Sequence, residues 1–116
     1  MRRRVLKLLE DMREAAESIR AYTAGRTEPQ YLADKQLRRS VEREFEIIGE
    51  ALRRLRTEDS TFFGRLSDAQ RILDFRNVLA HGYDAVSDQR VCLIVTEFLP
   101  VFLAEIQEAS DEEGRP

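Results

Sequence analysis

A chain of 116 residues is long enough to bury one hydrophobic core and too short for two. With 42% hydrophobic and 35% charged residues it has the make-up of a folded helical protein, and 5 Gly with 3 Pro leave little turn material for an all-β fold. A net charge of -3 excludes coating of nucleic acid by bulk electrostatics, though not a local basic patch.

The first helix is expected from Arg2 to about Ala24. Val5, Leu8, Leu9, Met12, Ala15, Ala16, Ile19 and Tyr22 recur at three and four, the period of a stripe facing a bundle, and Gly25 suits the position after the helix end. Arg2, Arg3 and Arg4 oppose the helix dipole, so they either fray or contact a polyanion. They also resemble the start of a signal peptide, but Lys7, Glu10 and Asp11 break the apolar stretch that would have to follow. No run reaches membrane-spanning length, so no membrane partner is expected and the cytoplasm is the expected compartment.

Thr27 to Asp34 reads as a turn with a short helical segment, Pro29 standing where a missing N–H costs nothing. Asp34 then caps a long helix, Lys35 to about Arg56, that buries Leu37, Val41, Phe45, Ile48, Leu52 and Leu55. Gly49 in mid-helix costs about 1 kcal/mol against alanine and signals a close approach by another element. Glu50 beside it either pairs with an arginine or serves a site. Thr57 to Leu66 reads as a polar connection in which Phe62 and Phe63 either plug the bundle end or stack on bases.

Ser67 is a natural cap for a third helix, Asp68 to His81, ended by Gly82. A fourth starts near Ser87 or Asp88 with Val91, Ile94, Val95, Phe98 and Leu99 inside; Pro100 then kinks or restarts it, and Val101, Phe102, Ala104 and Ile106 continue it. Lone Cys92 reads as a small buried thiol with no metal-ligand spacing around it. The expected architecture is an all-α, up-down bundle of four to five helices over residues 1–110, with a charged tail at 111–116. The last helix is apolar nearly all round, more than one small bundle needs, which points to a two-fold dimer.

Chemistry concentrates in Arg76-Asn77-Val78-Leu79-Ala80-His81-Gly82-Tyr83, which holds the only histidine of the chain. A guanidinium offers phosphate a planar donor fork, an imidazole moves protons near neutral pH, and a phenol donates a hydrogen bond or accepts a modification. Together they suit attack of an RNA 2′-hydroxyl on its neighbouring phosphodiester, which needs a base, an acid and a cation but no metal. Five residues at about 100° each leave Arg76 and His81 roughly 140° apart around the helix and about 7.5 Å along it. They converge where the helix unwinds or where a second chain brings its copy alongside, and the second chain also supplies a second histidine. The alternative from these residues alone is a pair of cations capping a helix C-terminus.

Arg76, four residues, His81, one residue and Tyr83 resemble the Arg-x4-His-x-Tyr signature of HepT-like toxins, small all-helical ribonucleases of the HEPN superfamily. Asp34-Lys35-Gln36-Leu37, Val41-Glu42-Arg43 and Ile47-Ile48-Gly49-Glu50-Ala51 resemble the second helix of that family, and Phe98-Leu99-Pro100 its last. The resemblance implies a homodimer with a composite cleft and metal-independent cleavage of RNA without a cofactor. In it Arg76 orients the scissile phosphate, His81 is general base or acid, and Asn77 supports them by hydrogen bonding. It also implies a MntA-like nucleotidyltransferase antitoxin that silences the toxin by transferring AMP onto Tyr83. A non-catalytic helical module that binds such a nucleotidyltransferase, or a nucleotide, is the alternative.

Overall fold

The computed structural model describes the backbone of residues 2–80 and 88–113 and the side chains of 3–77 and 90–112. Among these residues every regular element is helical. α1 is Arg2–Thr23, α2 Glu28–Ala33, α3 Lys35–Glu58, α4 Ser60–Arg65 and α5 Ala69–Ala80. α6 is Asp88–Leu93, followed by a π turn, Ile94–Phe98, and by α7, Leu99–Glu113. The chain fills 47 × 28 × 20 Å, an elongated shape set by two helices of 22 and 24 residues.

α1 and α3 form the spine. Val5, Leu8, Leu9, Met12, Ala15, Ala16 and Ile19 are buried, as are Leu37, Val41, Phe45, Ile48, Leu52 and Leu55. Tyr22, expected on the α1 stripe, is 41% exposed because α1 ends one residue later. The pair is antiparallel: Arg4 near the start of α1 meets Glu58 at the end of α3, 3.2 Å apart. α1 is helical from Arg2.

The caps show why α2 and α3 start where they do. The Thr27 hydroxyl accepts from the Gln30 amide while the Gln30 side chain accepts from the Thr27 amide, a reciprocal capping box. The Asp34 carboxylate accepts from the Leu37 amide at 3.0 Å and starts α3. α3 runs two residues past the expected end, and the following stretch is helical rather than loop. Asp59 accepts from the Phe62 amide and nucleates α4, which buries Phe62 and Phe63. The two rings plug the bundle with Arg65 over Phe62 and Arg56 over Phe63, so they are not a base-stacking platform.

α5 lies antiparallel to α3, since Arg56 reaches Gln70 at one end and Gly49 faces Arg76 at the other. Phe45 and Phe75 meet edge to face, with ring centroids 5.2 Å apart. Ser67 does not cap α5. Its hydroxyl and amide both donate to Glu105 of α7, a tie between segments 38 residues apart. That contact and the Arg65–Glu112 ion pair place the end of α7 beside the start of α5, which completes the up-down order.

The α-helix restarts at Pro100, one of the two expected outcomes: α6 ends at Leu93 and α7 begins at Leu99, joined by a π turn. Proline cannot donate to the carbonyl four residues back, and its ring would strike it. The helix widens by one residue instead, so that the Leu99 N–H reaches the Ile94 carbonyl, the i to i−5 pattern of a π turn. Leu99, Phe102 and Ile106 then return to the core, while Val101 and Ala104 face outward and Val95 and Phe98 are half-buried. Leu93 and Val101 are about half exposed, at 50% and 48%. α7 stays helical through Glu113, beyond the expected start of the frayed tail. Cys92 is half-buried rather than a core thiol.

Candidate functional site

Of the four residues singled out in the sequence, the structure brings Arg76 and Asn77 together on α5; His81 and Tyr83 lie outside the described residues. Arg76 projects from α5 across α3 at Gly49. A Cβ at position 49 would stand 2.2 Å from Arg76 Cγ, 2.6 Å from its Cβ and 2.8 Å from its Cδ, so any side chain there collides with the arginine stem. The close approach expected at Gly49 is thus made by an arginine stem.

The guanidinium is held at one corner only. Arg76 Nη1 donates to the Asn77 side-chain oxygen at 3.2 Å. Arg76 Nε is buried and has no hydrogen-bond partner among the described residues. A buried donor left without an acceptor costs about 1–3 kcal/mol, which the packing of the arginine stem against α3 has to offset.

Arg76 lines a groove of about 380 Å³ together with Arg43 and Arg54 and with Asp11, Glu46 and Glu50. Each of these carboxylates is already engaged. Glu46 pairs with Arg43 at 3.3 Å, Asp11 with Lys7 at 2.8 Å, and Glu50 with Arg53 at 2.7 Å and Arg54 at 3.1 Å. The hydrogen bond from Arg53, reinforced by that from Arg54, lowers the Glu50 carboxyl from its ordinary 4.5 to about 2. Glu50 is therefore a paired anion at the rim, and Arg76 is the lining arginine without a carboxylate partner among the described residues.

Because Nε is buried, an arriving anionic oxygen would meet the outer edge of the guanidinium, whose planar donors suit phosphate. No cluster of three or more His, Cys, Asp or Glu suited to a metal ion occurs among the described residues. Sequence reasoning found Arg76 and Asn77, and found the glycine without its partner. It did not find Arg43 and Arg54, whose three- and four-residue spacing from Glu46 and Glu50 was the available signal.

Residues 12–109 match the family model described as Ribonuclease HepT-like. No curated protein and no solved structure matches the chain. The match covers α2 to α6 whole, the second half of α1 and most of α7, including both sides of the Arg76–Gly49 contact. With a family model matched over most of its length and an all-helical up-down bundle among the described residues, the chain belongs to the HepT-like ribonuclease family.

Proposed function

We propose that the protein is a metal-independent endoribonuclease toxin of a toxin–antitoxin pair, acting in the cytoplasm as a homodimer whose two Arg76/His81 sets share one cleft. The observation that carries this reading is the seating of Arg76: its stem is locked against Gly49, its Nη1 is fixed by Asn77, and its Nε is buried without a partner among the described residues. The half-exposed Leu93 and Val101 are apolar surface that a second protomer would cover.

In this mechanism one His81 imidazole takes the proton of the 2′-hydroxyl. The freed oxygen attacks the adjacent phosphorus, and Arg76 stabilises the charge on the pentacoordinate intermediate. The 5′-oxygen then leaves with a proton from the partner's His81, giving a 2′,3′-cyclic phosphate and a 5′-hydroxyl. Tyr83 is the AMP acceptor. On a partner nucleotidyltransferase the Tyr83 hydroxyl gives up its proton and attacks the α-phosphorus of ATP, the α–β phosphoanhydride breaks to release pyrophosphate, and the added bulk and negative charge of the tyrosyl phosphodiester exclude RNA from the cleft.

The test is incubation of the purified protein with cellular RNA in EDTA. Wild type is expected to cleave, and His81→Ala to lose about 10²–10⁴-fold in rate, the usual weight of a general acid–base group. Equal cleavage by both proteins would sink the assignment.

A further inference from the structure

A second groove adjoins the first. It has a volume of about 630 Å³ and is walled by the first turns of α1 and the C-terminal half of α3. Its cations are Arg3, Arg4, Lys7, Arg53 and Arg54. Asp11 and Glu58 are the carboxylates that line it, and Glu50 beside it pairs with Arg53 and Arg54, so five cations face three acids in a chain with a net charge of -3. The two grooves share Leu8, Asp11 and Arg54, so they lie side by side, with Arg76 in the first.

We propose that this furrow is a phosphate track that guides single-stranded RNA to Arg76. The inference rests on the ribonuclease reading above for what happens at the end of the track. Four features favour a nucleic-acid backbone. Four of the five cations are arginines, whose forks match phosphate oxygens. The groove lining contains no aromatic side chain, so the track holds backbone rather than bases and tolerates any sequence. Two helices packed at roughly 8–10 Å leave a furrow for one strand and not for a duplex. From Gly49 to Thr57 the α3 wall rises about 12 Å, enough to follow a short run of backbone phosphates.

The existing ion pairs do not close the track. Arg4–Glu58 and Lys7–Asp11 join side chains of which the cation is 74% exposed in each case, and such pairs exchange readily for a phosphate. Arg3 has no ion pair among the described residues. The first turn of α1 carries no acid, so its arginines stand against the helix dipole, an arrangement that an arriving anion would relieve.

The test uses the full-length chain and a fluorescein-labelled 12-nucleotide 2′-O-methyl RNA, which binds but lacks the hydroxyl needed for cleavage. Arg3, Lys7 and Arg53 are exposed, so the triple variant Arg3→Gln, Lys7→Gln, Arg53→Gln keeps the core. Fluorescence anisotropy is expected to show binding weakened about tenfold or more, and a log–log salt slope shallower by about 2, at roughly 0.7 per lost single-strand contact. A companion variant with Arg3→Lys and Arg53→Lys keeps the charge and is expected to keep the slope. Affinity and slope equal to wild type in the triple variant would overturn the proposal. So would loss of polyglutamate binding with RNA binding retained, which would assign the furrow to an acidic protein. Because the probe is uncleavable, a wild type that binds it through these residues but cuts no RNA in EDTA would leave the track standing and remove the ribonuclease reading.

Discussion

Replacing Gly49 by alanine sets two physical effects against each other. In a helix interior the change should help, because glycine costs about 1 kcal/mol relative to alanine. The structure opposes this gain with three contacts. The new methyl would lie 2.2 Å from Arg76 Cγ, 2.6 Å from Cβ and 2.8 Å from Cδ. Cγ and Cδ can swing aside at a rotamer cost, but Arg76 Cβ is fixed to the α5 backbone, so α5 itself must shift. Overpacking of this kind costs about 1–3 kcal/mol. The net expectation is a destabilisation of about 1 kcal/mol, or about 4 °C in Tm for a chain of this size.

Thermal unfolding followed by circular dichroism reads that sign directly. Cleavage should suffer more than stability, since displacing a positioning group by about 1 Å costs roughly 10²-fold in rate. A double-mutant cycle assigns the cause. In an Arg76→Ala background Cγ and Cδ are gone, so adding Gly49→Ala should cost less there than in wild type, with a coupling of about 1 kcal/mol. The reasoning is refuted if Gly49→Ala raises Tm by the amount propensity alone implies and cleaves RNA as wild type does.

Glu50→Gln tests the paired anion at the rim. The carboxyl lies at about 2 in the folded chain against an ordinary 4.5, so its stabilisation is complete above pH 4.5 and is lost as pH falls through 2. The side chain is 36% exposed, and screening limits its worth to below about 1 kcal/mol. Wild type should thus melt a few degrees above the variant at pH 7, by about 2–4 °C, with the gap closing toward pH 2; a gap that grows on acidification would contradict the assignment. For Tyr83, co-expression with a minimal nucleotidyltransferase should add the mass of AMP to the intact chain and not to Tyr83→Phe. An unmodified wild type across repeated preparations would remove the switch.

The long helices are legible because both repeat apolar residues at three, four and seven over about four to five turns, and a six-residue helix offers no such repeat. That is why α4 read as loop although the burial of Phe62 and Phe63 was one of the outcomes foreseen. The signal for it was local: Asp59 before Ser60 and Thr61 is a run of capping residues. The true partner of Ser67 could not be read locally, because Glu105 is 38 residues away and a serine before a helix looks like a cap in any context. The outcome at Pro100 was undecidable for a similar reason. Proline forbids one hydrogen bond, but whether the chain breaks or widens depends on what the next residues bury, and Leu99 and Phe102 are both fully buried. At the site, the motif pointed to Arg76 and the spacing pointed to Gly49, but their contact joins α5 to α3 across 27 residues.

The charges around that contact follow from α3 more than from any long-range design. Arg43 with Glu46, and Glu50 with Arg53 and Arg54, are pairs at three and four residues, written into one helix and satisfied before α5 docks. Each is a surface pair worth little to stability. Their consequence lies elsewhere: a carboxylate already bound to its own helix neighbours has less to offer a third guanidinium. Arg76 therefore lines a groove with three acids and forms no ion pair with any of them, which leaves its guanidinium without a carboxylate partner among the described residues. Had Glu50 lacked Arg53 and Arg54, it would have been the natural partner for Arg76 and a repulsive neighbour for phosphate. Local pairing within α3 thus decides which cation in the groove is available.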